Sequence, residues 1–160
     1  MRRRDFLASL AAFGNGGRAA AATPPAPPSR QSVVVSRLDD RHEGFPDLVR
    51  LGDGTLLVIY RESDGHAGRT FANLVIRRSR DNGAHWGPRE VLAEEKRKEG
   101  VLRQWNCPRI GQLRDGRLYV ACDLIAYPPG ETGDFQHARV FLWWSKDNGK
   151  SWSGPSETPI

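Results

Sequence analysis

Arg61, Asp64 and His66 stand close together in the stretch RESDGHAGRT, residues 61–70. Their types point to anion binding and proton transfer. A guanidinium or an imidazole holds an anion or assists a proton, and a carboxyl shielded from water keeps a proton it can donate near neutral pH. A Ser-Asp-Gly turn accounts for Asp64 just as well. Glu62 reads as the partner of Arg61 rather than as a second acid. His42 and Glu43, in DRHEG (40–44), are either ligand contacts or a surface ion pair. Trp105 and Asn106 lie in RQWN (103–106), where the indole is either a stacking platform or packing. Arg109 and Asp123 are either ligand-binding groups or a buried pair.

The elements that must position these residues are repeated. SRDNGAHW (79–86) returns as SKDNGKSW (145–152), and FPDLVRLGDGTLLVIYRE (45–62) matches CPRIGQLRDGRLYVACDL (107–124). Pro46 maps onto Pro108 and Asp53-Gly54 onto Asp115-Gly116, each 62 residues later, whereas the octets are 66 apart. The extra residues of the second copy belong in a loop. Alternating apolar runs around Asp-Gly turns predict a four-stranded antiparallel meander per copy. The strands are expected at 47–51, 55–60, 72–77 and 90–92, then at 109–113, 117–122 and 139–144, with a last one near the end of the chain.

Successive turns of a meander alternate between its ends. Both Asp-Gly turns and both octets therefore share one rim. The opposite rim carries 40–44, 61–70, 103–106 and the stretch 123–139, and with them most of the candidate chemistry. Each octet position has a local task. Asp81 accepts backbone N–H bonds, Ser79 closes the turn, Asn82-Gly83 tolerates positive φ, and Trp86 covers the hairpin. Ser145, Asp147, Gly149 and Trp152 repeat the set. The octets read as scaffolding, and His85 as a solvated turn residue.

The SxDxGxxW octet resembles the Asp-box of bacterial neuraminidases, or sialidases, whose catalytic domain is a six-bladed β-propeller of four-stranded blades. The resemblance covers roughly residues 41–160 and implies an all-β propeller, here about two blades (41–92 and 105–160). A ring of six at this period needs more than twice the chain, which implies the N-terminal part of a longer protein. The family uses an Asp as acid/base, a Tyr activated by Glu as nucleophile, and three arginines on the sugar carboxylate. Asp64 falls where that Asp tends to lie. Arg61 and His66 become candidates for an anionic sugar, with His42, Glu43, Trp105, Asn106, Arg109 and Asp123 as further substrate contacts. The family's first arginine, two residues before the blade-opening proline, is replaced by Gly44, leaving Arg41 or Arg61 as substitutes. The implied function is an exported, sialidase-like glycoside hydrolase acting on glycans. Asp-boxes also occur in non-catalytic propellers such as sortilin-like receptors, so a module binding glycans or protein is the alternative.

The chain has 160 residues, 38% hydrophobic and 27% charged, with no apolar run long enough to span a bilayer. MRRRDFLASLAAF opens with arginines and an apolar run, and Arg3-Arg4-Asp5-Phe6-Leu7 resembles the core of a twin-arginine export signal. A signal over 1–22 and a Pro/Ala-rich linker over 23–36 are expected, and hence a periplasmic or secreted location; a disordered basic tail is the alternative. Cutting after Ala22 removes four arginines and one aspartate from a net charge of +5, leaving +2. No basic cluster alternates with aromatics, which excludes a nucleic-acid profile. Two cysteines and four histidines show no metal-ligand spacing, and no cofactor motif is present. Cys107 and Cys122 flank a hairpin, either as a disulfide or as two buried thiols.

Overall fold

The computed structural model describes residues 32–66, 70–127 and 134–159. The expected signal and the linker up to residue 31 lie outside them. The described residues belong to one compact unit, Ser32–Ile160. It is all-β, with no helix among the described residues. Strands β1 (His42–Arg50), β2 (Leu56–Ser63), β3 (Ala72–Ser79) and β4 (Glu90–Ala93) form a four-stranded sheet in that order. A second sheet holds β5 (Leu102–Trp105), β6 (Arg109–Gln112), β7 (Leu118–Tyr127), β8 (Asp134–Ser145) and β9 (Ser153–Glu157). All pairings are antiparallel, and β5 and β6 both pair with β7.

The alternation in the sequence decides which side chains meet. Leu57 and Ile59 of β2, with Leu74 and Ile76 of β3, turn to the second sheet and meet Leu118, Val120, Cys122 and Trp143. Val58, Tyr60 and Val75 turn the other way, where Val35 and Trp86 pack on them. Val35 thus ties the end of the expected linker to the first sheet. The first strand of each copy is interrupted at its proline, which has no N–H to give a ladder. In β1 the register shifts between Gly44 and Asp47, while in the second copy Asn106, Cys107 and Pro108 separate β5 from β6. The freed donors find carboxylates instead: Ile110 N donates to Asp47 Oδ2 at 2.9 Å across the sheets, and Cys107 N to Asp123 Oδ1 at 2.9 Å.

Five expectations about elements are corrected. Strand β1 starts at His42, not Asp47, because His42, Glu43 and Gly44 pair with Ser63, Glu62 and Arg61. Strand β2 runs to Ser63, not Tyr60, because Arg61, Glu62 and Ser63 pair with Leu74, Asn73 and Ala72 and are all buried. β7 runs to Tyr127, well past Cys122, and β8 starts at Asp134 rather than Arg139. Of the connection expected at 103–106, residues 103–105 belong to β5, which pairs with residues 124–127 of β7.

The two octets close alike. Ser79 Oγ accepts from Gly83 N at 2.9 Å and donates to Asp81 Oδ1 at 2.8 Å, which also accepts from His85 N at 2.9 Å. Ser145, Gly149, Asp147 and Ser151 N reproduce those bonds at 2.9, 2.8 and 2.9 Å. Asn82 and Asn148 both sit at φ 58°, the left-handed region asparagine tolerates. Register puts these turns and the Asp-Gly turns at one end, since Leu56 pairs Ser79 and Leu118 pairs Ser145. Arg78 then joins the sheets by donating to the carbonyls of Asn148 (3.0 Å) and Gly149 (2.9 Å).

His85 is a solvated turn residue, its side chain 90% exposed, and its Nδ1 lies 2.6 Å from Asp81 Oδ2. The His85 backbone N–H, then its ring, then the Ser79 hydroxyl hold the Asp81 carboxyl at about 2, below its ordinary 3.8. Between those values the unfolded chain binds more protons, so stability is lost as pH falls from about 4 to about 2. Thermal melts across that range should show Asp81→Asn flattening the acid limb of the profile. Superimposable limbs for the two proteins would remove Asp81 from the acid response.

Candidate functional site

The end opposite the octets gathers side chains from both repeats around Arg61. This residue is 1% exposed, and alternation along β2 turns it toward the second sheet beside Leu57 and Ile59. Its cross-strand neighbour in β1 is Gly44. Next to that glycine, Phe45 takes φ 56°, a costly conformation for a bulky side chain. The Phe45 ring lies against the guanidinium, 4.6 Å from centroid to Cζ. Arg61 Nη1 donates to Asn106 Oδ1 at 3.4 Å and Nη2 to the His66 carbonyl. Asn106 Nδ2 passes the connection on to Asp123 Oδ2 at 3.0 Å.

The cation is therefore fixed by both sheets: Phe45 and His66 come from the first, Asn106 and Asp123 from the second. Burial pulls the Arg61 pKa down, while Tyr127, Cys107, Cys122 and Asp123 pull it back up. Burial raises Tyr127, which Arg61 counteracts.

Two imidazoles stand beside this cation. His66 Nδ1 is 3.4 Å from His42 Nε2, and the rings meet edge to face at 5.3 Å between centroids. Burial first, then Arg61 and His66, lower the His42 pKa below 6.5. His42 thus favours its neutral form, and its contribution to stability declines as pH falls below about 6.5 toward its folded value. An NMR titration of the His42 ring should give a midpoint under 6.5, moving upward in Arg61→Gln. A midpoint at or above 6.5 would contradict this geometry.

Asp64 is half-buried, and its Oδ2 accepts from Thr70 N (2.9 Å) and Thr70 Oγ1 (2.6 Å), bridging the start and end of its own loop.

Several candidates fall elsewhere. Glu62 does not pair with Arg61, because adjacent strand residues face opposite sides of a sheet. It is 1% exposed and meets Arg89 through two bonds of 2.6 and 2.7 Å, with Arg41 at 3.6 Å. Arg41 is thereby engaged on the far face, stacked on Phe71, and does not join Arg61. Glu43 shares that far face, where Ser36 Oγ donates to it, and forms no pair with His42. Trp105 is 4% exposed and packs edge-on against Trp143 and Phe141, so its indole belongs to the core and not to a stacking platform. Arg109 is exposed and donates to the Pro108 carbonyl; Asp123 bonds Asn106 and Cys107 instead of Arg109. Cys107 and Cys122 are free thiols, both pushed up by burial and by Asp123.

Phe45 and Tyr127 escaped the sequence reading. The Phe-Pro step at the strand break signals Phe45, since it aligns with the break at Cys107-Pro108. Nothing local signals Tyr127, which the extension of β7 brings into electrostatic range of Arg61.

The arrangement combines a buried cation, an imidazole that favours neutrality, a half-buried phenol and an Asn–Asp relay. Among the described residues no group of three or more metal-ligating side chains occurs, and no helix is long and apolar enough to cross a membrane.

No protein-family model and no curated protein matches the chain. A solved structure described as a protein of unknown function from Dyadobacter fermentans DSM 18053 is similar to it, with a TM-score of 0.63 at 23% identity. The match covers 79% of this chain, which spans only 39% of that one. The likeness concerns fold alone.

Proposed function

We propose that the chain contributes two blades of a sialidase-like propeller to an exported glycoside hydrolase acting on glycans, and that the Arg61 end faces the substrate. The observation carrying this reading is the convergence of Arg61, His42, His66, Asn106 and Asp123 from both repeats at the end away from the octets. In this reading the exposed His66 and half-buried His42 meet an acidic or hydroxyl-rich sugar, the buried Arg61 orders them from behind, and Asp64, at the same end, is the acid/base. The nucleophile and the rest of the carboxylate clamp come from other blades.

The 160-residue chain is accordingly expected to be silent on a fluorogenic sialoside that a longer gene product turns over. Turnover by the short chain would overturn the division of labour among blades. A longer product inactive on every glycoside tried would favour a non-catalytic propeller that binds glycans or protein. One observation favours that second reading: the Asp64 carboxylate is engaged by Thr70 in closing its own loop.

A further inference from the structure

The octet rim, at the end away from Arg61, carries charged groups of its own. Its aspartates are occupied. Asp53 accepts from Thr55 N (2.9 Å) and Asn148 Nδ2 (3.2 Å), and Asp115 holds Arg117. Asp81 and Asp147 serve their own turns, and hydrogen bonds keep both carboxyls well below the usual range. The cations beside them are differently placed. Arg80, Arg114, Lys146 and Lys150 are exposed, and none has a carboxylate at ion-pair distance among the described residues.

Two of these cations line a cleft of about 360 Å³ between the first Asp-Gly turn and the second octet, bounded by Asp53, Thr55, Arg78, Arg80, Asn148 and Lys150. Arg78 is fixed in its wall by the Asn148 and Gly149 carbonyls. A second hollow of about 490 Å³ adjoins it, sharing Arg78 and Arg80 and adding Trp86 and Pro88; its two carboxylates are engaged, Asp81 by its own turn and Glu90 by Arg78 at 3.5 Å. The outcome is a track rather than a spot: exposed Lys150 and Arg80, then an indole wall, with hydroxyl and amide groups and three already-bonded carboxylates, Asp53, Asp81 and Glu90, along it.

We infer that this rim binds an acidic polysaccharide, a chain of sugars carrying carboxylate or sulfate groups. Spaced charges match Lys150 and Arg80, sugar hydroxyls match Thr55 and Asn148, and a pyranose face matches Trp86. The carboxylate of Asp53 and the small number of free cations disfavour the dense phosphates of a nucleic acid. A concave track disfavours a membrane plane. The site is remote from Arg61, so it tethers the protein to a polymer without occupying the other end.

The test uses the 160-residue chain and two fluorescein-labelled probes, a heparin dodecasaccharide and an oligogalacturonate of equal length, with a labelled DNA duplex as comparison, all read by anisotropy at physiological salt. Arg80→Ser/Lys150→Ser is expected to weaken the tighter probe about tenfold, with a smaller salt dependence. The charge-matched control Lys96→Ser/Lys98→Ser, on exposed residues away from the track, is expected to stay within about twofold. Because Arg80 and Lys150 are exposed, both variants keep the fold, which a melt confirms. Equal loss in the two variants would reduce binding to net charge and overturn the site. Binding of neither probe, or tighter binding of duplex DNA than of both, would overturn the polysaccharide.

Discussion

Arg89→Ala is expected to destabilise the fold by about 3 kcal/mol, because it leaves the buried Glu62 carboxylate without its principal partner. Glu62 is 1% exposed, and Arg89 supplies both of its short bonds. Hydrogen bonding to Glu62 is also what raises the Arg89 pKa most. Arg41, at 3.6 Å, is positioned to recover part of the loss, which puts the estimate at the low end for a broken buried pair. Urea unfolding at neutral pH reads the effect, and Glu62→Gln in the Arg89→Ala background should restore part of it by removing the stranded charge. A loss under about 1 kcal/mol, or no restoration, would show that water or Arg41 already satisfies the carboxylate.

Asp64→Asn is expected to lower turnover of a sialoside in the proposed longer enzyme by about 100- to 10,000-fold, the usual worth of a placed proton donor. Asparagine retains an oxygen for the two Thr70 bonds, so the melting temperature should hardly move. Asp64→Ala removes those bonds as well and should loosen the loop in addition. A fall of tenfold or less in Asp64→Asn would make Asp64 a turn residue whose carboxylate merely closes residues 64–70.

The meander and its turns were legible because they rest on short-range rules. Asp-Gly steps, period-two alternation and the Ser-Asp-Gly spacing of the octets each specify conformation within a few residues. What was not legible depends on the partner strand. β5 shows no alternation of its own and exists because β7 extends to Tyr127 to meet it. The partner of Glu62 was misread although alternation forbids an Arg61–Glu62 pair, and its true partner lies 27 residues on. Sequence order brought Arg61, Asp64 and His66 together as a group. The fold separates their tasks: Arg61 is bound into the junction of the sheets, His66 joins His42, and Asp64 holds its loop. The Phe45 clamp on Arg61 depends on a positive φ that no propensity for phenylalanine suggests.

The side-chain bonds that close each octet join residues at most four apart in the chain. Closing so short a loop costs little chain entropy, and local contacts of this kind form early. Each repeat therefore closes the junction of its last two strands with bonds of its own, none of which comes from the other repeat. A gene that grows by copying this unit adds, with every copy, a segment able to begin folding as soon as it is synthesised.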